Sequence, residues 1–160
     1  MTRLGGTLSL RRLQLAGTGG VVLHYDGSSL QRQPSGTTSH LITVHADGQR
    51  AAAVGGLGRG VIVENDGSGW KDVTPARAPQ VMGIWLAGDV AYAVGVKGSV
   101  LRFESGKWAT VDTGIDMEEE LHAVWVDPDG GVWAAGGHVL APPLVDGVLI
   151  YRNPLAGPES

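Results

Sequence analysis

Apolar residues along this chain fall in short runs of about four to seven, separated by clusters of Gly, Asp and Ser. The runs recur. Leu41-Ile42-Thr43-Val44-His45, Val81-Met82-Gly83-Ile84-Trp85 and Leu121-His122-Ala123-Val124-Trp125 begin forty residues apart and share apolar first and fourth positions. Each is followed by a turn and a second run, containing Ala53-Val54-Gly55, Ala93-Val94-Gly95 and Ala134-Ala135-Gly136, with Leu15-Ala16-Gly17 as an earlier copy. A third run stands at residues 21–25, 61–65, 99–103 and 148–152. It leads into Asp26-Gly27, Asp66-Gly67 or Ser105-Gly106, and then into Ser29-Leu30, Trp70-Lys71-Asp72-Val73 or Trp108-Ala109-Thr110-Val111.

Runs this short, rich in Val, Ile, Leu and aromatics and bounded by turn residues, are the mark of strands. Asp-Gly between two of them predicts a tight hairpin of type I′, with positive φ at both central residues, and therefore antiparallel neighbours. One unit is four strands in the order just given. Only residues 117–121 resemble a helical turn, and Glu118-Glu119-Glu120 reads more simply as a solvated loop, so a helical solenoid is disfavoured.

A lone four-stranded meander has two apolar faces and open edges, so it needs neighbours. Stacking such sheets radially around an axis buries both faces, which is the propeller solution. The predicted fold is all-β: a β-propeller-like array of about four four-stranded antiparallel blades of about forty residues, in units of approximately 7–38, 39–78, 79–118 and 119–154. Trp70, Trp85, Trp108, Trp125 and Trp133 are the expected packing residues between blades.

The strands legible in the sequence total fourteen: the first unit lacks its first strand and the last lacks its fourth. Residues 1–10 do not repeat the first-strand pattern, and residues 153–160 contain two Pro. Three arrangements follow. Thr7-Leu8-Ser9-Leu10 supplies the missing strand of the last blade, or two chains associate as a homo-oligomer through their open terminal blades, or the chain is a piece of a longer propeller. An incomplete or oligomerising propeller is favoured over a closed four-blade ring.

The 26 glycines among 160 residues fit this reading, since Gly is cheap at positive φ and costly inside helices and strands. A net charge of −4 disfavours nucleic acid or an anionic membrane surface as partner. No Cys is present, which leaves no disulfide framework, thiolate nucleophile or Cys-ligated metal. Arg11-Arg12 is not followed by an apolar export segment, and no run approaches the roughly eighteen residues of a membrane span, so the chain reads as soluble without membrane insertion.

Candidate chemistry is sparse. His24, His40, His45, His122 and His138 show no metal-ligand spacing, and His45 takes the place of Trp85 and Trp125, as a packing residue would. Asp127-Pro128-Asp129-Gly130-Gly131 reads as a turn rather than a calcium loop. Gly55-Gly56-Leu57-Gly58-Arg59-Gly60 resembles a dinucleotide fingerprint but leads into a strand, not a helix. With no nucleophile elbow, triad or phosphate loop, no catalytic residue, metal site or cofactor is expected.

Val94-Gly95 … Ser99-Val100-Leu101-Arg102-Phe103 … Gly106-Lys107-Trp108, and Val21-Val22-Leu23-His24-Tyr25-Asp26-Gly27-Ser28-Ser29, resemble bacterial propeller repeats of the approximate form VWAVG…GTILHYDGSSW. These are loosely similar to neuraminidase (Asp-box) repeats and to photosystem-assembly-factor propellers. The resemblance covers nearly all of residues 15–152 and implies a propeller, often in exported or surface proteins. Glu64-Asn65-Asp66-Gly67-Ser68-Gly69-Trp70 is a shortened Asp-box and Glu104-Ser105-Gly106-Lys107-Trp108 lacks the Asp, so the match is Asp-box-like only. No motif positions Tyr25, Tyr92 or Tyr151 as a sialidase nucleophile, and that activity is not carried over.

In an up-and-down meander, alternate turns emerge at the same end. The connections from second to third strand and from fourth strand to the next unit therefore share one face of the array. That face carries Arg59, Arg77, Lys97, Glu118, Glu119, Glu120, His138 and Asp146, the last two at the ends of the longest insertion. The functional expectation is a non-enzymatic binding scaffold for an unknown protein or carbohydrate ligand. The rivals are a carbohydrate-binding or glycoside-acting propeller and a structural blade fragment of a larger surface or exported protein.

Overall fold

The computed structural model describes residues 13–48, 50–138 and 147–153. Fourteen strands among them form four antiparallel sheets in which every strand pairs only with its neighbours in sequence. The first sheet is β1 (Leu13–Gly17), β2 (Val21–Tyr25) and β3 (Leu30–Gln33). The second is β4 (Leu41–Asp47), β5 (Arg50–Gly55), β6 (Val61–Asn65) and β7 (Trp70–Asp72). The third is β8 (Val81–Ala87), β9 (Val90–Gly95), β10 (Val100–Glu104) and β11 (Lys107–Val111). The fourth is β12 (Leu121–Val126), β13 (Val132–Gly137) and β14 (Gly147–Arg152). The fold is thus an all-β, propeller-like array of four sheets. No described helix is long and apolar enough to cross a membrane. Thr7-Leu8-Ser9-Leu10, proposed above to close the last blade, lies outside the described residues.

The hairpins after the third strands differ from expectation. Tyr25 pairs Leu30 and Asn65 pairs Trp70, so each Asp-Gly belongs to a four-residue loop, not a two-residue one. The cause is the Asp side chain. Asp26 Oδ1 accepts from the Ser28 and Ser29 amides, both at 2.8 Å, and Asp66 Oδ1 accepts from the Ser68 amide at 3.0 Å, which folds the loop around the carboxylate. Glycine at φ 102° and 100° follows each Asp. The type I′ turn occurs instead at Ser105-Gly106, where Glu104 pairs Lys107 and φ is 52° and 80°.

Two local features recur from sheet to sheet. A register irregularity interrupts the first strand at Leu41/Thr43, Val81/Gly83 and Leu121/Ala123. Beside it, Gly55, Gly95 and Gly136 lie so close to the chain entering that strand that a Cβ would stand 2.1, 1.9 and 1.8 Å from the carbonyl oxygens of His40, Gln80 and Glu120. Only glycine permits this approach, and the Gly56, Val96 and Gly137 amides then donate to the same three carbonyls. The Gly that ends each Ala-Val-Gly or Ala-Ala-Gly segment is a packing requirement.

Directly paired residues of adjacent antiparallel strands project to one face. Each sheet therefore has a forward face, toward the next sheet in sequence, and a back face toward the preceding one. Ala52, Val54 and Ile62 on the forward face of the second sheet pack with Ile84, Leu86, Ala91, Ala93, Leu101 and Trp108 on the back face of the third. Val22 packs likewise with Ala51, Ala53, Val63 and Trp70, and Tyr92, Val94 and Val100 with Leu121, Val124 and Ala134. The core is thus three slabs between four sheets, with β4, β8 and β12 lying side by side.

Candidate functional site

The connections from second to third strand and from fourth strand onward do meet at one end, tied by backbone hydrogen bonds. The Gly60 amide donates to the Ala78 carbonyl at 3.0 Å, and the Gly98 amide to that of Glu119 at 2.9 Å. Of the residues expected there, Lys97 and Glu118 form an exposed ion pair at 3.0 Å, and Glu120 lies 3.7 Å from His122. Arg59 and Arg77 are exposed, Glu119 and His138 half-buried. Asp146 lies outside the described residues. Arg77 and Lys97 hold left-handed φ of 62° and 52°, as turn residues. This end presents mixed charges that partly neutralise one another.

At the opposite end, the Asp turns are internally satisfied. Ser29 and Ser28 amides hold the Asp26 carboxyl well below the usual carboxylate range, and the Ser68 hydroxyl and amide, with Lys71, lower Asp66 to about 2. Asp127 is lowered chiefly by the Trp133 indole N–H, which donates to Oδ2 at 3.0 Å, while the Gly131 amide donates to Oδ1 at 2.7 Å. Their oxygens are occupied by the loops they shape. No group of three or more potential metal ligands occurs among the described residues.

Polar contacts across the slabs fix how sheets sit on one another. Leu86 N–H donates to His45 Nδ1 at 3.1 Å while the His45 ring stacks on Trp85 at 4.0 Å, and burial holds the imidazole pKa below its ordinary value, partly offset by Asp47. Glu64 Oε1 accepts from Arg50 Nη2 at 3.0 Å and from the Trp108 indole at 2.9 Å, and Arg50 lies over the Phe103 ring. Trp70 donates similarly to Gln33 Oε1 at 2.8 Å. Trp70 and Trp108, each 8% exposed, therefore plug the outer part of the slab between their own sheet and the preceding one.

The two terminal sheets expose what the inner ones bury. On the forward face of the fourth sheet, Trp125, Trp133 and Tyr151 form one row and Ala123, Ala135 and Leu149 the next. Trp125, Tyr151 and Leu149 are 45, 50 and 66% exposed, whereas at the equivalent places in the third sheet Trp85 and Arg102 are half-buried and Val100 is 8% exposed. Trp125 and Trp133, expected between blades, have no following sheet among the described residues. Trp133 stacks instead on Tyr151 at 4.2 Å. The back face of the first sheet is open in the same way, with Leu13, Leu15 and Leu30 exposed. Leu30 occupies the place of Trp70 and Trp108.

Sequence reasoning missed a cavity of about 700 Å³ between the third and fourth sheets. Tyr92, Val94 and Val100 form one wall, Val132, Ala134 and Ile150 the other, with Val111, Ile115 and Arg152 at the rim. The preceding slab has Trp108 at the corresponding position. Among the described residues β14 pairs only with β13, so the fourth sheet has no fourth strand to carry an equivalent side chain. The missing fourth strand was legible; the space it leaves was not.

No protein-family model matches the chain, and no curated protein does. Among solved structures, it is similar to YCF48 from Cyanidioschyzon merolae, a β-propeller, with a TM-score of 0.59 and 16% identity over 91% of this chain and 54% of that one. The chain thus spans about half the length of the structure it matches. At that identity the likeness concerns the fold.

Proposed function

We propose that this chain is a non-enzymatic protein-interaction scaffold whose main binding surfaces are the open faces of its terminal sheets. The observation that carries the reading is the row Trp125, Trp133 and Tyr151 with Leu149 beside it, apolar and uncovered where the inner sheets are covered. Contiguous apolar surface of this kind on a folded domain marks an interaction site. The charged loop end, with Lys97 and Glu118 already paired, offers less area to desolvate.

The exposed forward face of the fourth sheet and the exposed back face of the first are the two halves of the contact made three times inside the chain. A second copy supplies both halves, so self-association is the first occupant to test. Light scattering should find more than one chain per particle, and Leu149→Glu or Leu15→Glu should return it to a single chain. A wild-type monomer that binds no apolar-surface dye would sink the reading.

A further inference from the structure

The cavity between the third and fourth sheets and the edge of β14 form one site. In the second and third sheets the fourth strand lays an aromatic residue on the back face, directly opposite Asn65 and Phe103 of the third strand. Trp70 and Trp108 so placed fill the outer part of their slabs and donate to Gln33 and Glu64 on the preceding sheet. In the fourth sheet the residue corresponding to Phe103 is Arg152, the last residue of β14, and it stands at the rim of the cavity. A strand added to β14 would turn the side chains opposite Arg152 and Ile150 toward this space, the first of them in the place that Trp70 and Trp108 take in their own sheets. The segments outside the described residues at either end, 1–12 and 154–160, contain no Trp, Tyr or Phe.

Beside the cavity, the forward face of the third sheet differs from that of the second at one register position. Glu64 is an acceptor, suited to an indole N–H. Its counterpart in the third sheet is Arg102, which has only donors, and Arg102 Nε is buried without a hydrogen-bond partner among the described residues. A tyrosine hydroxyl can accept a hydrogen bond where an indole cannot. We propose that the β14 edge and this cavity accept an extended strand of another polypeptide, carrying a tyrosine opposite Arg152. Backbone pairing along β14 supplies affinity and the aromatic socket supplies selectivity, as in other cases of strand addition. The proposal rests on the scaffold reading above but uses a different surface.

The chain's own fourth strand provides the probe. A peptide of residues 104–113 with Trp108→Tyr, labelled for fluorescence anisotropy, should bind the full chain. The same peptide with Trp108→Ala should bind at least about tenfold more weakly, the loss typical of removing an anchoring aromatic. Ala134→Trp, filling the cavity, should abolish binding in a protein whose circular dichroism is unchanged; should that variant misfold, Ile150→Gln serves instead. Arg102→Met should remove the preference for Tyr over Phe in the peptide while leaving the preference for Phe over Ala. No binding by the folded chain, or equal binding of the Tyr and Ala peptides, overturns the proposal. So does binding that appears only in a Leu8→Asp, Leu10→Asp variant, which would make the chain's own amino-terminal segment the occupant. Leu149→Glu leaves this site intact, so loss of self-association with retained peptide binding, or the reverse, separates the two readings.

Discussion

Glu64 joins the second sheet to the third, and removing its carboxylate tests whether the contacts across that slab carry stability. Glu64→Ala leaves the Trp108 indole, on a residue 8% exposed, without its acceptor at 2.9 Å. A buried donor so orphaned costs about 1–3 kcal/mol. Arg50 loses a partner at 3.0 Å, but its side chain is 21% exposed and it keeps the Gly88 carbonyl and the Phe103 ring, so that share is discounted to about 1 kcal/mol for solvent screening. The sum is on the order of 3 kcal/mol, or roughly 6–12 °C in melting temperature for a domain of this size. Glu64→Gln keeps an oxygen for the indole and should lose only about 1 kcal/mol. Urea titration followed by tryptophan fluorescence measures both. A Glu64→Ala variant within about 0.5 kcal/mol of wild type, or a Gln variant as damaged as the Ala one, would refute the reasoning.

Two further outcomes test other features. Gly95→Ala should destabilise the chain by more than about 3 kcal/mol, because its Cβ would stand 1.9 Å from the Gln80 backbone oxygen; Gly88→Ala, with positive φ but open space, should cost only about 1 kcal/mol, and the two melts compared side by side are the check. His45 is held neutral by burial, so its folded pKa lies below the ordinary value of about 6.5 and its contribution, complete above that value, is lost as pH falls from there toward the folded pKa. Wild type should therefore lose more melting temperature between pH 7.5 and 5.5 than His45→Phe does; equal losses would show that the imidazole is not the titrating group.

The strand runs were legible because burial on both faces demands apolar residues at nearly every position, as in Val61–Val63 and Ala91–Val94, where relative exposure is 8% or less. His45 was legible as a packing residue because it stands where Trp85 and Trp125 stand. The four-residue Asp loops were not, since two-letter turn signals do not encode how many amides a carboxylate will gather. Nor was the exposure of Trp125. A residue selected to face a neighbouring sheet reads the same whether or not the neighbour is there, so open terminal blades were expected but which side chains they expose emerges only from the arrangement of sheets. The cavity depends on a residue the fourth sheet lacks, and a missing side chain leaves no letter to read.

Every hydrogen-bonded strand pair among the described residues joins segments adjacent in sequence, and none of these strands crosses from one sheet to another. Nothing therefore clasps the two ends of the described array together. Disruption of one outermost layer forfeits a single slab and leaves the remainder intact, so order is expected to erode inward from both extremities. The pair of layers sandwiched on both sides, residues 41–72 and 81–111, then becomes the keel of the structure. Whatever settles on the outer layers would do more than be recognised by them: it would change how readily the whole chain comes apart.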